Sequence, residues 1–291
     1  MASVGQWISG ARPRTLPTAV SSVAVGTGLA IQVDALNLGY ALLALLVAIA
    51  LQIGVNYAND YSDGIKGTDT TRVGPVRLVG QKLAAPRSVR LAALLSFAAA
   101  MVFGSILIAL VGQWWLLLIG IACVAAAWLY TGGPRPYGYV GLGEVFVFIF
   151  FGLVPVVGTF YVQSLHVTLA SAVAAVGVGL LACAVLVTNN LRDIPTDSVS
   201  GKHTIAVRLG DLRTRALYAL LIAGAATSTV VLAALLNWWL LATLLAFVLA
   251  VGPLRTVRGG AVGPALVPAL KQTGLLVLGY GLVLGCGLSV I

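Results

Sequence analysis

Charge is what this chain has little of. Only 9% of its 291 residues are Asp, Glu, Lys or Arg, 60% are hydrophobic, and the mean hydropathy is +1.04. A soluble domain carries about 25% charged residues, so a soluble globule is excluded and a polytopic membrane protein remains. Cysteine is scarce too. Cys123, Cys183 and Cys286 are odd in number, lie inside apolar runs and lack C-x-x-C spacing, so they read as small packing residues. The two histidines, His166 and His203, fall on opposite sides of the membrane in the topology below, which leaves no imidazole metal site. Residues 1–11 are short and weakly apolar, with the arginines after them, unlike a cleavable signal. Val4–Ser9 reads as a brief interfacial helix anchored by Trp7.

About 20 apolar residues cross a bilayer as a helix. On that measure the chain divides into nine spans, at 16–32, 38–58, 91–111, 114–130, 142–162, 168–189, 216–236, 238–254 and 272–290, with very short turns at Gly112-Gln113 and Asn237. All 17 basic residues then fall before the first span or in every second connection. The positive-inside rule places those segments and the N-terminus in the cytoplasm and the C-terminus outside. The expected fold is all-α: one integral-membrane domain over 1–291, in the plasma (inner) membrane, with nine transmembrane helices and functional loops on the cytoplasmic side. The net charge of +9 is explained by topology and anionic lipid heads, and requires no nucleic acid.

Only eight acids occur: Asp34, Asp60, Asp63, Asp69, Glu144, Asp193, Asp197 and Asp211. Seven lie on the basic side, five of them at the ends of the second and sixth spans or just beyond. If the helix runs through Asn56-Tyr57-Ala58-Asn59-Asp60-Tyr61-Ser62-Asp63, then Asn56, Asn59, Asp60 and Asp63 share one face at i, i+3, i+4, i+7. Asp193 and Asp197 are four apart, with Pro195 between them as a possible kink or end. From Asp60 to Arg90, Gly64, Gly67, Gly74, Pro75 and Gly80 among six basic residues indicate a loop with at most a short helix, suited to a lid. Between spans four and five, Pro134 and Pro136 flank Arg135. Glu144 then enters an aromatic run, either as a helix-dipole partner or as a site-facing acid.

Two carboxylate clusters with amides and Lys/Arg nearby suit a diphosphate bridged by Mg²⁺, a cation usually held by one or two carboxylates plus water and phosphate. Metal and basic clamps neutralise the charge that develops on a leaving diphosphate. The allylic cation left behind would be attacked by an electron-rich ring. Apolar walls would shield it and admit an isoprenoid tail from the lipid.

Asn59-Asp60-x-x-Asp63 and Asp193-x-x-x-Asp197 resemble the two aspartate-rich motifs of the UbiA superfamily of intramembrane prenyltransferases, which lie on the second and sixth of nine helices. Where that family often has a further aspartate, this chain has Gly67, with Asp69 two positions on. Arg12-Pro13-Arg14-Thr15-Leu16-Pro17, Lys66-Gly67-Thr68-Asp69, Gly74-Pro75-Val76-Arg77-Leu78, Tyr130–Tyr139 with Gly141-Leu142-Gly143-Glu144, and Asn189-Asn190-Leu191-Arg192-Asp193 resemble the MenA branch. That branch comprises 1,4-dihydroxy-2-naphthoate prenyltransferases. The resemblance implies that Asp60, Asp63, Asp193 and Asp197, with Asp69 a further candidate, hold Mg²⁺ and polyprenyl diphosphate, assisted by Asn56 or Asn59. It implies that Arg135, Lys202 and Arg77 clamp the phosphates. Charge alone suggests Arg12, Arg14 or Arg192 for the carboxylate of 1,4-dihydroxy-2-naphthoate. A UbiA-type enzyme for another acceptor such as 4-hydroxybenzoate, or a secondary transporter, are the alternatives. Transport predicts polar sites near the midplane, and the acids here gather at one face. Prenyl chain length and oligomeric state are not encoded in these motifs.

Overall fold

Apolar runs of this length fold as helices because lipid cannot satisfy an open backbone. The computed structural model describes residues 2–67 and 76–291, and all regular structure among them is helical. In chain order the helices are α1 (Val4–Gly10), α2 (Leu16–Gln32), α3 (Leu38–Lys66), α4 (Pro86–Val111), α5 (Leu116–Leu129), α6 (Gly143–Ser164), α7 (Leu169–Val199), α8 (Ile205–Leu235), α9 (Trp238–Arg258) and α10 (Gly263–Leu288).

Seven of these, α3, α4 and α6 to α10, are long and apolar enough to cross a membrane. Nine were expected. The spans at 16–32 and 114–130 are helices of 17 and 14 residues, shorter than each of the seven. The short turns at Gly112 and Asn237 are present. Gly112 closes α4 at φ 78°, and the Asn237 side chain accepts from the Trp239 N–H at 3.0 Å. Trp114, Trp115, Trp238 and Trp239 stand exposed at these two turns. Residues Trp238–Ala250 of α9 form a 3₁₀ helix, whose rise of about 2.0 Å per residue lengthens an otherwise brief span.

Helix α7 is the most enclosed element. It packs on α2, α6, α8 and α10 around a core that includes Val178, Leu181, Ala184, Tyr218, Leu276 and Tyr280. Small residues permit the close approaches. The backbones of Gly28 on α2 and Gly285 on α10 leave no room for a Cβ, and the same holds for Gly152 against Gly179. Within α6, Phe148–Leu153 widens into a π turn, and the Ser22 hydroxyl donates to the Phe151 carbonyl at 2.6 Å.

Two expectations are corrected. The stretch from Asp60 to Arg90 is not all loop: α3 continues to Lys66, where Gly67 at φ 72° ends it, and α4 already begins at Pro86. Cys286 is exposed on the outside of α10, whereas Cys183 is buried and Cys123 half-buried. An outward apolar side chain needs no protein packing where lipid surrounds it. Asp69, with residues 68–75 of the expected lid, lies outside the described residues.

Candidate functional site

The site is assembled at the ends of α3 and α7, and each acid there has a definite partner. Helix α3 runs through Asn56–Asp63, so the four polar side chains do share a face, and all four are buried. Asp60 accepts the backbone N–H of Leu78 at 2.7 Å and of Val79 at 3.1 Å, pinning the connection to α4 against α3. Arg77 and Arg12 lie near enough to act on its charge. Asp63 accepts the Tyr139 hydroxyl at 2.5 Å and pairs with Lys202 Nζ at 3.1 Å. Asn59 accepts the Thr131 hydroxyl at 2.8 Å.

Asn56 has a different use. Its amide donates to the Ala11 carbonyl at 2.8 Å and to Thr15 Oγ1 at 3.0 Å, and Gln52 donates to the same Thr15 oxygen at 3.1 Å. Together they hold the Arg12–Thr15 turn, in which Arg12 adopts a left-handed backbone at φ 53° ahead of Pro13. Helix α1 is docked by Trp7, which meets the Tyr57 ring edge-on at 5.7 Å and accepts the Tyr57 hydroxyl on its carbonyl. Half-buried, Trp7 thus fastens α1 to α3.

On the other side, α7 passes through Pro195 without ending, so Asp193 and Asp197 do face the same way. Arg192 forks onto Asp193 at 2.7 and 2.8 Å and reaches Asn189 at 2.8 Å; its Nη1 is buried without a partner among the described residues. After α7, the Lys202 N–H donates to the Asp197 carbonyl at 2.9 Å. One residue thus joins the two acid motifs, Asp197 through its backbone and Asp63 through its side chain.

Between the motifs stands Tyr139. Lys202 Nζ lies 4.6 Å and Lys66 Nζ 4.9 Å from its ring centroid, close enough for cation–π attraction. Lys66 also donates to the Thr131 carbonyl at 2.7 Å. The same loop carries Tyr137, which stacks on Phe146 at 3.8 Å and donates to the Ala126 carbonyl at 2.7 Å. Burial pushes the Tyr137 hydroxyl above the ordinary phenol range, which keeps it a donor. Glu144 is buried, accepts from Asn190 at 3.1 Å through Oε1, and leaves Oε2 without a partner among the described residues.

Of the remaining sequence candidates, Arg77 is buried beside Asp60, while Arg14 and Arg135 are exposed. Sequence reasoning missed Thr131, Tyr139 and Asn190 as site residues. They are neutral, and their partners lie 46 to 76 residues away in the chain. The available signal was the Tyr/Gly/Pro density of residues 130–139, which marks a shaped loop.

Among the described residues no three His, Cys, Asp or Glu side chains converge as a ready metal cage. The acids instead form two pairs with oxygen donors only, joined by Lys202. That donor set fits Mg²⁺, which keeps several waters and relies on substrate phosphate for the rest of its shell. Because each carboxylate oxygen has two lone pairs, it can keep its present donor and still meet a cation.

A family model described as the UbiA prenyltransferase family matches residues 16–259. The 1,4-dihydroxy-2-naphthoate octaprenyltransferase of Mycobacterium tuberculosis is 54% identical over 289 residues, 99% of this chain and 98% of that protein. The Escherichia coli protein of the same name is 38% identical over 296 residues, 97% of this chain and 95% of its own. A UbiA homolog from Archaeoglobus fulgidus, solved bound to DMAPP and Mg²⁺, superposes with a TM-score of 0.70 over 98% of this chain and 100% of that one. It is 15% identical, a likeness of fold.

Proposed function

The chain belongs to the UbiA prenyltransferase family, and on that premise we propose how it works. It is a prenyltransferase of menaquinone biosynthesis. It moves a polyprenyl group from its diphosphate to 1,4-dihydroxy-2-naphthoate, with loss of diphosphate and CO₂, and gives demethylmenaquinol. The observation that carries the reading is the Lys202 link, which brings the ends of α3 and α7 to one place. Relatives named for this reaction, alike over almost the full chain, support the acceptor.

Asp60, Asp63, Asp193 and Asp197 hold the diphosphate through Mg²⁺, with Asn59 beside them and Asp69 as a further candidate. The metal, when bound, draws charge from the diphosphate and makes it a better leaving group. Lys202, Lys66 and Arg77 meet the phosphate oxygens as charge builds on them. Arg14 and Arg135, exposed at the rim, attract the arriving anion. Arg12, which acts on Asp60, and Arg192, which pairs with Asp193, receive the acceptor's carboxylate. Asn56 positions the Arg12 turn and touches no substrate. The burial of Asp60, Asp63 and Asp193 keeps water from the allylic cation.

The seven long helices make this a multi-pass membrane protein. The 17 residues of α2 and the 14 of α5 cross with them, which gives nine passages, a cytoplasmic N-terminus and an outer C-terminus in the plasma membrane. Seventeen residues span about 25 Å as a helix, and tryptophans beside α5 and α9 mark the outer interface. The test is an assay with purified protein, Mg²⁺ and labelled polyprenyl diphosphate, offering the naphthoate and 4-hydroxybenzoate separately. Prenylation of the naphthoate alone is expected. Product with 4-hydroxybenzoate alone would move the acceptor, and product with neither would remove the activity.

A further inference from the structure

Glu144 is a buried acid that the diphosphate site does not use. It is 91% buried, being 9% exposed, and no ion pair among the described residues involves it. One oxygen is held by Asn190, and the other has no partner among the described residues. Buried polar atoms are nearly always satisfied, and an exception in a functional region marks a place where a ligand or water completes the bonding. Glu144 is also fixed in place: its carbonyl accepts from Cys183 at 3.2 Å, and it opens α6 beside the Tyr137–Phe146 stack.

Its position relative to the acids is set by α7. Asn190, Asp193 and Asp197 recur at i, i+3, i+7 and share a face. Asn190 lies one helical turn, about 4.5 Å of rise, deeper than Asp193. A prenyl diphosphate held by Asp193 and Asp197 directs its carbon chain away from the charged end. Its reacting carbon is then at the depth where Asn190 holds Glu144.

We propose that Glu144 Oε2 binds the acceptor's hydroxyl next to the carboxylate and carries its proton through the reaction; this rests on the acceptor reading above. As the carbon–oxygen bond to diphosphate breaks, that electron pair leaves with the diphosphate. The ring carbon bearing the carboxylate gives its π pair to the prenyl carbon. The neighbouring hydroxyl becomes a carbonyl, and its proton passes to Glu144. The carboxylate then leaves as CO₂, and the electron pair of the broken bond restores the ring as an enolate. Glu144 returns the proton to that oxygen. No net proton is consumed or released, which suits a group shut away from water. The role is catalytic because Oε2 touches the reacting hydroxyl; Asn190 is a positioning residue.

Glu144→Gln preserves shape and the Asn190 hydrogen bond but cannot accept the proton. Positioned acid–base groups contribute about 100-fold or more. In the purified assay kcat should fall by about that factor, while KM for polyprenyl diphosphate and its Mg²⁺-dependent thermal stabilisation stay as in the unchanged protein. A merely structural Glu144 would alter diphosphate binding or stability together with rate. A kcat within about 3-fold of the unchanged protein would overturn the proposal, since that is well short of an acid–base contribution. If that variant does not fold, Glu144→Asp decides. Its withdrawn carboxylate should lower kcat and raise KM for the naphthoate alone, and unaltered kinetics would overturn the proposal. Absence of product from the unchanged protein would instead strike the acceptor reading.

Discussion

Tyr139 and Lys202 are the residues on which the site's electrostatics turn. Both act on Asp63, one by a 2.5 Å hydrogen bond and one by a buried ion pair. A hydrogen bond to a charged group contributes about 1.5–3 kcal/mol. Tyr139→Phe should therefore reduce kcat by about tenfold, with the fold intact by detergent gel filtration. Removing Lys202 leaves a buried carboxylate uncompensated, which costs about 3–5 kcal/mol. Lys202→Met should lower the apparent Tm and turnover together, and added Mg²⁺ should recover part of the stability. At this scale sequence was partly informative. The acids were legible because an apolar chain retains few, and their helical spacing proved real. Tyr139, Thr131 and Asn190 were not, because neutral side chains carry no cost that draws notice. Only folding brings them to Asp63, Asn59 and Glu144.

Helix boundaries were legible where turns announce them, as at Gly112 and Asn237, and not where tertiary contacts extend a helix. Sequence reading ended the second span at residue 58, where the apolar run stops. The structure carries α3 two turns further to Lys66, its polar face satisfied by Leu78, Val79, Thr131 and Tyr139. Pro195 was equally ambiguous, and α7 continues past it, with the proline on its exposed side, to Val199. Close helix contacts give a test at this scale. Gly28 abuts the backbone of Gly285, whereas a Cβ at Gly158 would meet nothing within 4 Å. Gly28→Leu should abolish the monodisperse folded peak in detergent, since overpacking costs about 1–3 kcal/mol or more. Gly158→Leu should leave that peak unchanged.

For the whole molecule, the distribution of basic residues carried more information than hydropathy. It sorted the connections into two sets, and the structure brings the acids together at the ends belonging to the basic set. The helices α2 and α5 are shorter than the seven long ones, and the proposed nine-pass topology has them cross packed against those longer neighbours. Cysteine introduced at Gln113 should react with an impermeant maleimide from outside intact cells, and cysteine at Ser200 only after permeabilisation; the reverse pattern would invert the topology. The central claim is prenyl transfer to the ring with loss of the carboxylate, and the most direct measurement is the fate of that carbon. With 1,4-dihydroxy-2-naphthoate labelled in its carboxyl group, polyprenyl diphosphate and Mg²⁺, labelled CO₂ should appear in equal amount to an unlabelled prenylated product, and only when the diphosphate is present. A prenylated product that keeps the label, or label released without prenyl diphosphate, would contradict it.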